Sequence, residues 1–541
     1  MNREPNLKPT NQSKKFPSLP QIAYTMQDII EIKPLIAILT KIRQAMLDAE
    51  KKNQTLIASV QPHYRDSARN LLHYLALRTF DLRDVQWRLS SLGLSSLGHS
   101  ERYSMVNLQN ILFLLRLLNG DPPAYSSGGD SPFNLNFPQS QRRLDSHTVD
   151  LFGPEQFPGH TRIMVTLPTE AAHEYELVKG MAEAGMDIAR INCSHDSPEA
   201  WLRMIGHVNK ISETTGKKIL IYMDLQGPKL RTGPIEPRVT KKKKKEKRGY
   251  IRLRKDDLLV LYPGEKPGKR PVFDEEDRQA QPGSVGVALT EVFEDVRAGQ
   301  AIWFDDGKIG GVIESCSPDR IEVRITSADQ GGVRLYAEKG INLPETKLHL
   351  PALTVEDIEN LALIAQHADM VGYSFVRRPE DVELLQSELK KLGREDIGII
   401  LKIETRETFE NLPILLLTAM RSPRIGAMIA RGDLAVELGF IRISEVQEQI
   451  LWLCEAAHIP TIWATQVLEN LAKTGRATRA EISDAVLSAR AECTMLNKGP
   501  HILEAVTMLS DIDQRMAAHQ TKKKSAMRTL NVAKIFFEGD F

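Results

Sequence analysis

Gly398-Ile-Ile-Leu-Lys-Ile-Glu404 and Ile425-Gly-Ala-Met-Ile-Ala-Arg-Gly-Asp433 decide the fold. Each is an apolar run of strand length that ends in charged side chains, with a helical pattern on either side. Working outward, similar runs stand at 162–167, 187–194, 218–224, 368–375, 460–465 and 493–497. Amphipathic stretches such as Glu174–Glu183, closing at Gly185, lie between them. Alternation of this kind signals a parallel sheet, and eight strands predict a (β/α)8 TIM barrel, an open doubly wound sheet being the alternative.

The barrel pattern is interrupted after the third run. Residues 234–338 read as short alternating strands (YIRLR, DLLVLY, AIWF, RIEVRI, VRLY) with Gly and Pro turns, which predicts an inserted small all-β lid domain. Upstream, 21–120 has helical periodicity. Met105, Leu108, Ile111, Leu112 and Leu115 follow three-and-four spacing, Gly120 is a stop, and Asp66-Ser67 reads as an N-cap. The remaining expectations are disorder over 1–20, a Gly/Pro/Ser-rich linker over 121–157, barrel over 158–233 and 339–519, and a C-terminal tail over 520–541.

A chain of 541 residues needs more than one core, and a formal net charge of +1 supplies no field for nucleic acid or an anionic membrane. Four scattered cysteines without CxxC spacing read as free thiols in a reducing compartment. With no leader-like or membrane-spanning run, the expectation is a cytoplasmic protein with no nucleic-acid or membrane partner.

Functional groups of a barrel gather at the C-terminal ends of its strands, and here polar residues recur at those ends. Arg190, Asn192 and Ser194 share one face of the second strand, as Lys402 and Glu404 do on the fifth. Asp224 ends the third strand, Ser374 lies in the fourth, Asp433 follows the sixth and Thr465 ends the seventh. Glu404 and Asp433, on adjacent strands, suit one Mg²⁺ or Mn²⁺. Lys402 brings a compact positive charge, Arg190 and Arg231 can fork onto phosphate oxygens, and Gly432 lets backbone N–H groups approach a substrate carboxylate. The chemistry these types serve is metal-dependent phosphoryl transfer.

The segments Ala189-Arg-Ile-Asn-Cys-Ser-His195, Asp224-Leu-Gln-Gly-Pro-Lys-Leu-Arg-Thr-Gly233, Asp305-Asp-Gly307, Lys339-Gly-Ile-Asn-Leu-Pro344, Leu401-Lys-Ile-Glu404, Ala430-Arg-Gly-Asp433, Ala464-Thr-Gln466 and Thr478-Arg-Ala-Glu481 follow one another along the chain. In content and order they resemble the motifs of the pyruvate kinase family. The resemblance implies phosphoryl transfer between phosphoenolpyruvate and ADP, giving pyruvate and ATP. It implies Lys402 on the transferring group, Glu404 and Asp433 on the divalent ion, and Thr465 beside the enolate. Arg190 and Arg231 would hold phosphates, with His195 and Lys339 towards the nucleotide. Asn192, Ser194 and Asp224 match the family's potassium site, but Lys229 stands where potassium-dependent members carry Glu, so the ammonium is expected to substitute for potassium. No Arg is left in Thr166-Leu-Pro-Thr-Glu-Ala-Ala172, and Leu496-Asn-Lys-Gly-Pro-His501 replaces the family's Ser-Gly-Glu-Thr loop. Both departures touch the nucleotide side, so a different acceptor, or a silent sensor, stands as the alternative. The resemblance covers the barrel and insert only, and the N-terminal region is a candidate for homo-oligomer contacts.

Overall fold

The computed structural model describes residues 31–94, 97–121, 135–157, 160–239, 246–276, 278–516 and 531–539. The segment 1–20, expected to be disordered, lies outside them. Eight parallel strands close in sequential order: β1 Arg162–Thr166, β2 Ile188–Asn192, β3 Leu220–Asp224, β4 Met370–Tyr373, β5 Gly398–Ile403, β6 Ile425–Ala430, β7 Thr461–Ala464 and β8 Cys493–Leu496. The TIM barrel expected from the sequence is therefore present, and the open sheet is excluded. Its strands are buried on both faces because helices cover the outside while side chains fill the inside, hence their continuous apolar character. Met164, Ile188, Tyr222, Met370, Ile400, Met428 and Ile462 are among the side chains packed inside.

The insert forms a six-stranded mixed sheet ordered 283–287, 258–263, 320–327, 309–317, 301–304, 341–342. It has its own apolar core, including Leu253, Leu259, Val285, Phe304, Ile313 and Val323. Its last strand, Ile341–Asn342, lies beyond the boundary at 338, because Phe304 pairs with Ile341.

The N-terminal region is helical, with α1 Ile32–Lys52, α2 Arg65–Leu77 and α3 Ser104–Leu118 among its elements. Leu35, Leu39, Ile42, Met46 and Ala49 form the buried stripe of α1. Helix α3 buries the expected run, and Gly120 takes φ +80° after its end. The Asp66-Ser67 cap is incorrect. A short 3-10 turn, Pro62–Tyr64, leads directly into α2, Ser67 is already helical, and its hydroxyl lies 3.0 Å from His458 Nδ1.

Two further expectations need correction. The linker over 121–157 contains a sixteen-residue helix, α4 Phe137–Phe152, started by an Asn136 capping box with Pro138 in its first turn. Asn and Pro here begin a helix instead of breaking one. The tail over 520–541 contains α8, Asn531–Glu538. Its Val532, Ala533 and Phe536 are buried in the core shared by the barrel's outer shell and the N-terminal helices. Among the described residues, no helix is long and apolar enough to cross a membrane.

The N-terminal helices dock on α7, Phe440–Ala456, which follows β6 and the short helix α6, Arg431–Leu438. Asn70 donates to the Ala456 carbonyl at 2.8 Å, Arg102 pairs with Glu455 at 2.7 Å, and the Arg78 guanidinium stacks 5.0 Å over Trp452. His458 is fully buried; Nε2 donates to the Arg102 carbonyl, and burial pushes the imidazole down to about 3, so it stays neutral. Leu151 and Phe152, at the end of α4, join the cluster that fills the barrel from its N-terminal side.

Candidate active site

Register brings the charged residues together. Asn192 is opposite Asp224, Asp224 is opposite Gly372, and Lys402 is opposite Met428 in the parallel ladder. Side chains two residues apart on a strand share a face, so Tyr222 and Asp224 point inward with Lys402 and Glu404. Gly372 makes room for this. A Cβ there would lie 1.9 Å from the Tyr222 hydroxyl and 2.3 Å from Asp224 Oδ1. The tyrosine hydroxyl donates to that Oδ1 at 2.9 Å.

Asp224 is the hub. Arg190 donates to Oδ2 through Nε at 3.2 Å and through Nη2, and reaches Thr166 Oγ1 through Nη1 at 2.9 Å. Lys402 Nζ lies 3.3 Å from the same Oδ2, 2.8 Å from Glu404 Oε1 and 2.7 Å from Ser374 Oγ. Ser374 in turn donates to the Leu225 carbonyl at 2.6 Å. Burial alone would raise the Asp224 carboxyl, but Lys402 and Arg190 outweigh it and hold it below the usual range. Burial likewise works against the Lys402 ammonium, and Asp224 and Glu404 reverse that.

Glu404 and Asp433 are pushed in opposite directions. Burial raises Glu404, Lys402 opposes this, and the Asp433 charge adds to the rise. Burial would raise Asp433 too, but Lys229 holds it low, with Nζ 2.9 Å from both carboxylate oxygens. Lys229 is delivered by the loop after β3. There Gly227 turns with φ +66°, and the Gln226 and Gly227 N–H groups donate to Asp357, which completes the capping box that Thr354 starts on α5, Val355–His367. One turn on from Asp433, Glu437 accepts from Asn342 at 3.2 Å, and burial pushes it up to about 7.

Thr465 lies in a turn of left-handed backbone, with φ +65° there, +61° at Gln466 and +46° at Leu468. A β-branched residue holds that conformation only when its surroundings impose it. Arg431 imposes it here, donating to the Ala464 and Thr465 carbonyls, pairing with Asp484 and stacking 4.6 Å over Trp463. The Thr465 hydroxyl is buried without a partner among the described residues, beside Gly432 in the first turn of α6. An unpaired buried hydroxyl at the end of a barrel strand calls for a functional explanation.

Other expected residues stand apart from this cluster. Arg231 bridges to the Gly340 backbone and donates to the Glu338 carbonyl at 3.3 Å, where chain enters and leaves the insert. Lys339 pairs with Asp305 at 2.8 Å. Asn192 accepts from the Ser194 N–H at 3.1 Å in a local turn. His195 borders a cavity of about 250 Å³ that shares Arg190 and Thr166 with the cluster and adds Asn192, Lys473 and Lys498 to its walls. Burial lowers the His195 imidazole, and Lys498 and Arg231 lower it further.

Sequence reasoning missed Tyr222, Gly372, Glu437, Arg431 and Lys498. Tyr222 was visible two residues before Asp224 in an otherwise apolar strand. Arg431 and Lys498 lie inside the segments Ala430–Asp433 and Leu496–His501 noted above but carried no role there, and nothing local marks Gly372 or Glu437.

A divalent ion fits the donor set. Glu404 and Asp433 are hard oxygen donors whose charges act on each other, and repulsion of that kind is relieved by a cation. Among the described residues, no group of three His, Cys, Asp or Glu side chains could hold a metal. Protein would therefore supply two carboxylates, and water and substrate oxygens the rest, as Mg²⁺ favours.

A family model for the pyruvate kinase barrel domain matches residues 159–500. The chain is 30% identical over 371 residues to a pyruvate kinase of Staphylococcus haemolyticus, 67% of this chain and 58% of that one. It is 30% identical over 351 residues to one of Clostridium acetobutylicum, 64% of this chain and 68% of that one. The pyruvate kinase of Dictyostelium discoideum is 32% identical over 363 residues, 65% of each chain. The match thus spans about 58% of the length of the first of these relatives.

Proposed function

The chain belongs to the pyruvate kinase family, and from that premise we propose that it transfers a phosphoryl group between phosphoenolpyruvate and ADP. The carrying observation is Lys402, buried and charged between Asp224 and Glu404 with its ammonium directed by Ser374. A buried cation already paired with carboxylates needs no reorganisation when negative charge gathers on the transferring oxygens.

In this reading Lys402 and Arg190 hold the phosphoryl oxygens, and Asp224 fixes both cations. Glu404 and Asp433 would hold a divalent ion, which would supply Lewis-acid stabilisation of the negative charge that develops on the substrate. Transfer breaks the bond from the enol oxygen to phosphorus and forms one from a β-phosphate oxygen of ADP. The enolate left behind takes a proton at its methylene carbon, and the Thr465 hydroxyl stands beside that path. Lys229 on Asp433 takes the place of a monovalent cation near the phosphoryl group. The acceptor's phosphates would enter by the cavity at His195.

The test is pyruvate formation from phosphoenolpyruvate with Mg²⁺ and a panel of nucleoside diphosphates, read by coupled lactate dehydrogenase with and without potassium. Turnover with ADP in sodium buffer is expected. Phosphoenolpyruvate binding without turnover on any diphosphate would overturn the proposal.

A further inference from the structure

The opposite end of the barrel has a second concentration of cations. One face of α4, with Gln139, Arg142, Arg143, Ser146, His147 and Asp150 at three-and-four spacing, lines a cavity of about 610 Å³. Pro423 and Arg424, in the turn before β6, and His63 from the N-terminal region also border it, and it is open to solvent. Of these walls, only the turn lies inside the 159–500 segment that the family model matches.

Two guanidiniums are held in place by protein oxygens. Arg143 Nη1 donates to the His63 carbonyl at 2.7 Å and Nη2 to Asp66 at 2.8 Å, while its buried Nε has no partner among the described residues. Arg424 donates to the Asp396 carbonyl through Nε at 2.8 Å and through Nη2, with the Asp396 carboxylate 3.9 Å away. The third, Arg142, reaches only the Pro138 carbonyl, through Nε at 3.3 Å; its terminal nitrogens have no hydrogen bond among the described residues. Asp150 is the single carboxylate on the lining.

His147 donates from Nδ1 to the His458 carbonyl at 2.7 Å, and burial pushes it down to about 4. Its Nε2 is therefore a hydrogen-bond acceptor at neutral pH, one that suits a hydroxyl. Arg142 offers an unengaged pair of terminal nitrogens, and Arg143 and Arg424, anchored on protein oxygens, keep further N–H groups that suit phosphate oxygens.

We infer that this cavity is a binding site for a small phosphate monoester dianion, gripped by Arg142, Arg143 and Arg424. The cavity holds more than a bare phosphate, and His147 gives the organic part a polar contact. Because α4 continues into Leu151 and Phe152 inside the barrel, a bound anion ties the N-terminal region to the barrel floor.

Equilibrium dialysis of the full chain with radiolabelled glycerol 3-phosphate, at ionic strength fixed with chloride, tests this. Arg142→Glu is the first variant, because its side chain is exposed and holds no other element; its thermal midpoint without ligand should match wild type. One site per chain should weaken at least tenfold in Arg142→Glu, weaken less in Arg142→Lys, and persist in Lys402→Met. Inorganic phosphate should displace the ester from that site. The inference is overturned if Arg142→Glu and Arg142→Gln/Arg424→Gln both bind as wild type does. It is equally overturned if the site disappears in Lys402→Met, or if inorganic phosphate fails to compete.

Discussion

The cluster around Lys402 and the cavity around His195 lie on the same barrel rim but are built in opposite ways. Around Lys402 the charges are buried and paired: Asp224 with Arg190 and Lys402, Glu404 with Lys402, Asp433 with Lys229. Around His195 the walls are half-open, and Lys473 pairs with Glu469 only at the surface, where such pairs contribute little. The first arrangement is fixed before any ligand arrives. The second shares the fixed Arg190 but leaves Lys473 and Lys498 to be ordered by what binds, so substitutions of those lysines should change apparent affinity and substitutions in the first should change turnover.

The largest effect should come from Lys402→Met. Turnover should fall by about 10³-fold or more, while manganese binding measured by electron paramagnetic resonance is retained. Undiminished turnover would remove Lys402 from the chemistry. Lys229→Glu should follow, with about a 10²-fold loss in sodium buffer that potassium largely restores. A loss that potassium leaves untouched would mean the ammonium serves only to anchor Asp433.

Lys498→Ala tests the other side. KM for the nucleoside diphosphate should rise about tenfold, with KM for phosphoenolpyruvate unchanged, since a phosphate contact of this kind contributes about 1.4 kcal/mol. A matched change in both would erase the distinction between the two regions.

The smallest effect concerns Glu437. Its folded value of about 7 lies above the unfolded 4.5, so its stabilising contribution is complete below about pH 4.5 and is lost as the pH rises through 7. Glu437→Gln should flatten the decline in stability over that window by about 1–2 kcal/mol, allowing for partial exposure. Urea denaturation at pH 5 and pH 7.5 gives the comparison.

The same contrast explains what could be read from sequence. The strands and the rim carboxylates were legible because each is written locally, as an apolar run ending in a charge. The pairings were not, because Lys229 and Asp433 are 204 residues apart and meet only when the barrel closes. Gly372 appears as one more small residue until the Tyr222 hydroxyl is placed against it. Helix α4 was hidden for a different reason. Asn136 and Pro138 are loop formers in most settings and helix starters in this one, and the residues after them decide which. The eight residues of α8 carry too little periodicity to stand alone, and their buried face is defined by α2 and by Leu412–Ala419, far away in the chain.

That last contact has a consequence for the order in which the molecule is made. Helix α2 leaves the ribosome before the barrel strands and α8 after all of them, yet they share a core. Leu151 and Phe152 likewise emerge before any of the strands whose interior they fill. During synthesis the N-terminal helices must therefore hold apolar faces in waiting until β6, α7 and finally α8 arrive. Contacts of such long sequence separation slow folding and prolong the exposure of sticky surface. A chain truncated after residue 519 should still close its barrel, but with the seat of α8 bare.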